Sequence, residues 1–123
     1  MRDNSAAVYY SEGRQTNPGA NTILANTGTL TTGGILGANY KVVILLNGSA
    51  AMTYKLEALN ESSVVVTTIY LSAPANDAKF INMDTSFFIP NGYSLRIRND
   101  AAILLGGTLQ ASIILKISNL VDI

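Results

Sequence analysis

The sequence predicts an all-β chain: an antiparallel β-sandwich of about eight strands with an extended N-terminal arm. Two observations predict it. Apolar and polar residues alternate with period two from Tyr40 to Ser118, and no helical period survives over ten residues. Turn residues recur every 8 to 15 positions, placing strand starts near residues 22, 39, 52, 64, 79, 85, 93 and 108.

The elements follow in order. Residues 1–21 are punctuated by Asn4, Gly13, Asn17, Pro18 and Gly19, and their apolar residues are essentially Ala6, Ala7, Val8, Tyr9 and Tyr10. Such a segment cannot recover its ordering entropy by folding on itself. It is expected as an arm that lays Val8, Tyr9 and Tyr10 against a neighbouring subunit, ahead of a sandwich domain at 22–123. Tyr40, Val42, Ile44 and Leu46 line one face of the first strong strand, and Asn47-Gly48-Ser49 turns it. Met52, Tyr54, Leu56 and Ala58 then alternate with Thr53, Lys55 and Glu57, the pattern of a half-buried antiparallel strand. Val64 to Leu71 is β-branched and aromatic almost throughout. Short strands follow on either side of Asp84, and Pro90-Asn91-Gly92 is a turn with Gly ready for positive φ. Tyr93, Leu95 and Ile97 alternate with Ser94, Arg96 and Arg98. In the last strand Leu109, Ala111, Ile113, Leu115 and Ile117 face in, and only Ile114 breaks the polar outer row. Eight strands in roughly 100 residues fit a jelly roll better than a seven-stranded immunoglobulin fold. The alternation gives both sheets one wetter face.

Composition narrows the function. The chain has 123 residues, enough for one domain, with eight Lys or Arg against eight Asp or Glu. Zero net charge argues against a nucleic-acid binder that works by neutralising phosphates. There is no Cys and no His, so thiolate nucleophiles, disulfides and the commonest general base and metal ligand are absent. Charged residues are 13%, about half the roughly 25% of an ordinary domain, while hydrophobic residues reach 48%. That composition points to surface buried against other chains, with closed symmetry such as a homotrimer. No signal-like apolar core follows Met1, and the apolar run Val42–Leu46 is far short of the ~18 residues of a membrane helix. No membrane partner is expected.

Candidate sites are few. Asp77, Asp84 and Asp100 read as solvated loop acids, since nothing in their spacing makes them converge for acid–base work. No metal, cofactor or catalytic residue is assigned. Gly33-Gly34 and Gly106-Gly107 lack the Lys and helix of a phosphate loop. Asn47-Gly48-Ser49 and Asn60-Glu61-Ser62 match the glycosylation tripeptide and read as turns. Arg96 and Arg98 share one strand face about 7 Å apart. Either they grip acidic groups on another chain, or they pair across strands with acids such as Glu57. Val8, Tyr9, Tyr10, Arg96 and Arg98 are therefore the candidate interface residues. Tyr40, Tyr54 and Tyr93 sit on apolar faces and belong to the core.

Several segments together carry a resemblance. They are Ala50-Ala51-Met52-Thr53-Tyr54-Lys55-Leu56-Glu57, Val64 to Leu71, Phe87-Phe88-Ile89-Pro90-Asn91-Gly92-Tyr93-Ser94-Leu95-Arg96-Ile97-Arg98 and Gly107-Thr108-Leu109-Gln110-Ala111-Ser112-Ile113. The stretch from Tyr40 to Lys116 resembles the small jelly-roll capsid decoration, or cement, proteins of tailed bacteriophages. The resemblance implies a homotrimer or other homo-oligomer seated on the capsid surface of a virion, with the major capsid protein as partner. It would be made in the host cytoplasm and would have no catalytic residues. Lectins and tail-fibre heads share the pattern, so the alternative is a receptor- or glycan-binding head of a tail fibre. Glycan sites stack a sugar on Trp or Tyr, and this chain has no Trp.

Overall fold

The structure, a computed structural model, describes residues 8–31, 36–83, 86–103 and 106–121; for 8–11 and 120–121 it describes the backbone alone. Its strands are β1 (Val8–Thr16), β2 (Ile23–Asn26), β3 (Gly37–Gly48), β4 (Met52–Leu59), β5 (Val65–Ala73), β6 (Lys79–Asn82), β7 (Phe87–Pro90), β8 (Ser94–Asn99) and β9 (Thr108–Val121). No helix occurs among the described residues. Two antiparallel sheets form the sandwich. One is five-stranded in the order β1-β9-β3-β6, with β7 also on β3; the other is four-stranded in the order β2-β8-β4-β5.

Eight of the nine strands begin within two residues of the expected positions. The ninth is β1. Of the segment expected as an arm, residues 1–7 lie outside the described residues. Residues 8–16 pair antiparallel with β9 of the same chain, from Val8 opposite Lys116 to Thr16 opposite Thr108. The strand escapes a periodicity reading because Gly13 stands where an inward side chain is expected. A Cβ at Gly13 would lie 1.7 Å from the Leu24 carbonyl oxygen, so β1 and β2 meet backbone against backbone and close that edge of the sandwich.

The core lies between the sheets and uses the inward sets that alternation picks out. Tyr40, Ile44, Leu46, Tyr54, Ile97, Leu109, Ile113 and Leu115 are all fully buried, and Tyr93 packs against their cluster from a half-buried position. Register sets this up. Val42 lies opposite Leu115 and Ile44 opposite Ile113 at the centre of the five-stranded sheet, and Leu56 lies opposite Ile97 in the other. Burying such side chains stabilises the fold by about 1.5–3 kcal/mol each. The Pro90-Asn91-Gly92 turn has Gly92 at φ 87°, the left-handed conformation that glycine reaches without steric cost.

The segment before β2 is tied down by Asn99, at the end of β8. Its Nδ2 donates to the carbonyls of Gly19 and Ala101, both at 2.8 Å, and its Oδ1 accepts from the Thr22 amide at 2.9 Å. Asn99 is fully buried.

Candidate functional site

The two outer faces of the sandwich differ in chemistry. On the four-stranded sheet, register places Tyr70, Lys55, Arg98 and Ile23 in one row across the strands, and Thr68, Glu57, Arg96 and Asn26 in the next. Arg98 donates through Nε to Glu57 Oε1 at 2.6 Å and through Nη2 to Oε2 at 2.7 Å. Arg96 Nε donates to the same Oε1 at 2.8 Å. The two guanidinium groups roof the carboxylate, so Glu57 is 3% exposed although it points away from the core. Burial opposes ionisation of Glu57. The hydrogen bonds from Arg98 and Arg96, with their charges, outweigh it and hold the carboxyl below its usual range. Of the two alternatives for these arginines, the structure has cross-strand pairing with Glu57. Lys55 bonds Asn21 and lies 3.9 Å from Asp100. Tyr70, 65% exposed, stands at the border of this charged network.

The outer face of the five-stranded sheet is different. Its rows pair Ile114 with Val43, and Ser112 with Leu45 and Phe80; Lys116 faces Lys41. Val43, Leu45 and Ile114 are half-buried, Ser112 is buried, and Phe80 is 63% exposed. The expected wetter face is therefore apolar at its centre. Ile114, the one break in the outer row of β9, marks it in the sequence; Val43 and Leu45 are masked by the continuous run Val42–Leu46. The backbone of Tyr10 lies opposite Ile114, and that of Tyr9 opposite Leu115.

The third surface is the edge formed by β5, β6 and β7, away from the sealed β1–β2 edge. Here the sheets leave an apolar slot of about 150 Å³, lined by residues of both sheets that include Val42, Leu56, Ile69, Met83, Phe87 and Phe88. Around it Val64, Val65, Val66, Phe87 and Phe88 are exposed. Sequence reading identifies β5 as a strand, but its place at a sheet edge depends on sheet order, which periodicity does not carry.

Among the described residues no three Cys, His, Asp or Glu side chains converge. Asp77 and Asp100 are both exposed and sit at different loops, and Asp84 lies outside the described residues. The two tripeptides matching glycosylation sites are turns: Asn60 Oδ1 accepts from the amides of Ser62 and Val64, and Asn47-Gly48-Ser49 ends β3.

No family model and no curated protein matches the chain. Solved structures do match in fold. A carbohydrate-binding CBM36-1 domain, from a multidomain xylanase of the hindgut metagenome of Trinervitermes trinervoides, aligns with TM-score 0.54 at 9% identity, covering 89% of this chain and 94% of that one. The insecticidal delta-endotoxin Cry8Ea1 of Bacillus thuringiensis aligns with TM-score 0.52 at 16% identity over 81% of this chain, which spans only 19% of the endotoxin. The T13 viral particle of IBDV aligns with TM-score 0.51 at 7% identity, over 89% of this chain and 31% of that one. At these identities the likeness is one of fold. The chain is a jelly-roll-like antiparallel β-sandwich, an architecture that serves in a viral particle and in a carbohydrate-binding domain alike.

Proposed function

We propose that the chain is a non-catalytic structural protein of a phage virion, a homotrimeric decoration or cement protein that binds the major capsid protein at the capsid surface. The observation that supports this reading is the contrast between its outer surfaces. One sheet carries a satisfied ion-pair network across its outer face, while the other has half-buried Val43, Leu45 and Ile114 at the centre of its outer face and the open edge exposes Val64, Val65, Val66, Phe87 and Phe88. A neutral chain with such surfaces gains by covering them with protein. The test mixes purified chain with empty shells of the major capsid protein and follows co-sedimentation and shell melting. Saturable binding with a raised shell melting temperature supports the reading. A chain that stays in the supernatant and leaves shell melting unchanged overturns it.

One observation favours a second reading, a glycan-binding head of a tail fibre. Tyr70 offers an exposed ring beside the polar side chains of Lys55 and Thr68, which is how a sugar face and its hydroxyls are commonly met. Glycan-array binding that disappears in Tyr70→Ala, with the β-sheet spectrum retained, would carry that reading over the first.

A further inference from the structure

From the chemistry of the two apolar surfaces, we infer that copies of this chain join head-to-tail: the open β5–β6–β7 edge of one packs on the outer face of the five-stranded sheet of the next. The inference rests on the self-association proposed above and adds which surfaces meet.

Area is the first argument. Val64, Val65, Val66, Phe87 and Phe88 are 36–55% exposed. With side-chain areas on the order of 150–200 Å² each, they leave on the order of 400 Å² of apolar surface along one edge. That is the size of the largest patch of an ordinary monomer, and it is about half of the ~800 Å² each partner contributes to a stable interface. The slot between the sheets is open at the same place and apolar apart from Thr67, so it suits an apolar side chain better than water.

Charge decides what the edge meets. The charged side chains flanking the edge that form no ion pair among the described residues are Glu61, Asp77 and Lys79, a net negative set. On the apolar face the corresponding side chains are Arg14, Lys41 and Lys116. Glu12, on the same face, is bonded to Gln110. Lys41 and Lys116 lie directly opposite one another across β3 and β9, an arrangement that costs stability until an acid comes near. Edge against edge joins like to like, and so does face against face. Edge against face joins apolar to apolar and acid to base. Such a contact is heterologous. A heterologous contact builds a ring where the rotation between copies closes, and the homotrimer proposed above is such a ring.

The test uses the full chain and three variants: Val66→Lys/Phe88→Lys on the edge, and Ile114→Lys or Lys116→Glu on the face. Lys116 is exposed, so its variant folds even where Ile114→Lys does not. Sedimentation velocity of the wild type gives a closed oligomer. Each variant dissociates at least tenfold more readily with an unchanged β spectrum. An equimolar mixture of edge and face variants forms dimers, since one wild-type edge and one wild-type face remain to meet. A wild type that is monomeric at all concentrations overturns self-association and this inference together. An oligomeric wild type whose edge or face variants keep its mass, or whose mixed variants stay monomeric, overturns the head-to-tail contact alone.

Discussion

Arg98 grips Glu57 through two parallel hydrogen bonds, Nε to Oε1 and Nη2 to Oε2, and thereby locks β8 to β4 on the outer side of the four-stranded sheet. Arg96 adds a third bond to the same carboxylate. The side chain of Glu57 is 4% exposed and those of Arg96 and Arg98 19% and 23%, so the pair is screened less than a surface salt bridge.

Glu57→Gln keeps the shape and removes the charge. It is expected to lower stability by about 1.5–3 kcal/mol at pH 7, the range for hydrogen bonds to charged groups. The folded carboxyl lies below its ordinary value of 4.5, so its contribution is complete above that pH and is lost as pH falls through the folded value. Urea titrations at pH 7 and pH 3 check this. The wild type loses more stability on acidification than the variant, and equal losses would remove the stabilising role assigned to the network.

Gly13→Ala tests how the closed edge is built. The added methyl would stand 1.7 Å from the Leu24 carbonyl oxygen and 2.9 Å from its carbon, so the backbones of β1 and β2 must part. The expected cost is about 1–3 kcal/mol. Gly19→Ala is the control, since a Cβ there meets nothing within 4 Å, and it changes stability by less than about 1 kcal/mol. Thermal melts of the two variants separate them, and a silent Gly13→Ala would mean the edge is looser than its backbone contact implies.

Tyr54→Phe addresses a polar atom in the core. The Tyr54 hydroxyl is buried and bonds no described protein group, and burial raises its pKa above 10.0. Removing it is expected to leave stability unchanged or to raise it by up to about 1 kcal/mol. A folded pKa above the unfolded one means stability is lost as pH rises past 10, and this loss is smaller in the Phe variant. Denaturation at pH 8 and pH 10.5 reads both effects. A variant markedly weaker at pH 8 would show that the hydroxyl has a partner.

Alternation makes the inner faces of β3, β4, β8 and β9 legible from sequence, because each inward residue there meets a core two layers thick. Leu109 to Ile117 needs no knowledge of its neighbours to be read. The Glu57–Arg96–Arg98 network does need it. Its existence depends on Leu56 lying opposite Ile97, a register that puts Glu57 opposite Arg96 and that no local pattern specifies. Val64 to Val66 reads as strand material, and its exposure is not legible, because only sheet order makes β5 an edge. Gly13 looks like a turn glycine and is a close approach, since the atom it makes room for belongs to a residue eleven positions away. Asn99 looks like half of an Asn-Asp turn, yet it is the fully buried clasp between β8 and the chain before β2.

That clasp yields the last prediction. Asn99 uses both halves of its amide, with the oxygen accepting from the Thr22 amide and the nitrogen donating to the carbonyls of Gly19 and Ala101. Asn99→Asp preserves volume but turns the donor into an acceptor facing two carbonyl oxygens, with no exposure to water. An uncompensated buried charge of this kind costs about 3–5 kcal/mol. The carboxyl escapes part of that cost by holding a proton, which it can donate to one of the carbonyls. Its pKa in the folded variant is therefore raised above the unfolded value of about 3.9. The variant's stability is fullest below that value and is lost as pH rises through the folded pKa. Urea titrations at pH 5 and pH 7.5 are expected to show the gap between variant and wild type widening with pH. Asn99→Ala, which loses the hydrogen bonds without gaining a charge, should show a gap that pH leaves unchanged. If the Asp and Ala variants follow the same pH course, the side chain does not face the two carbonyls as described.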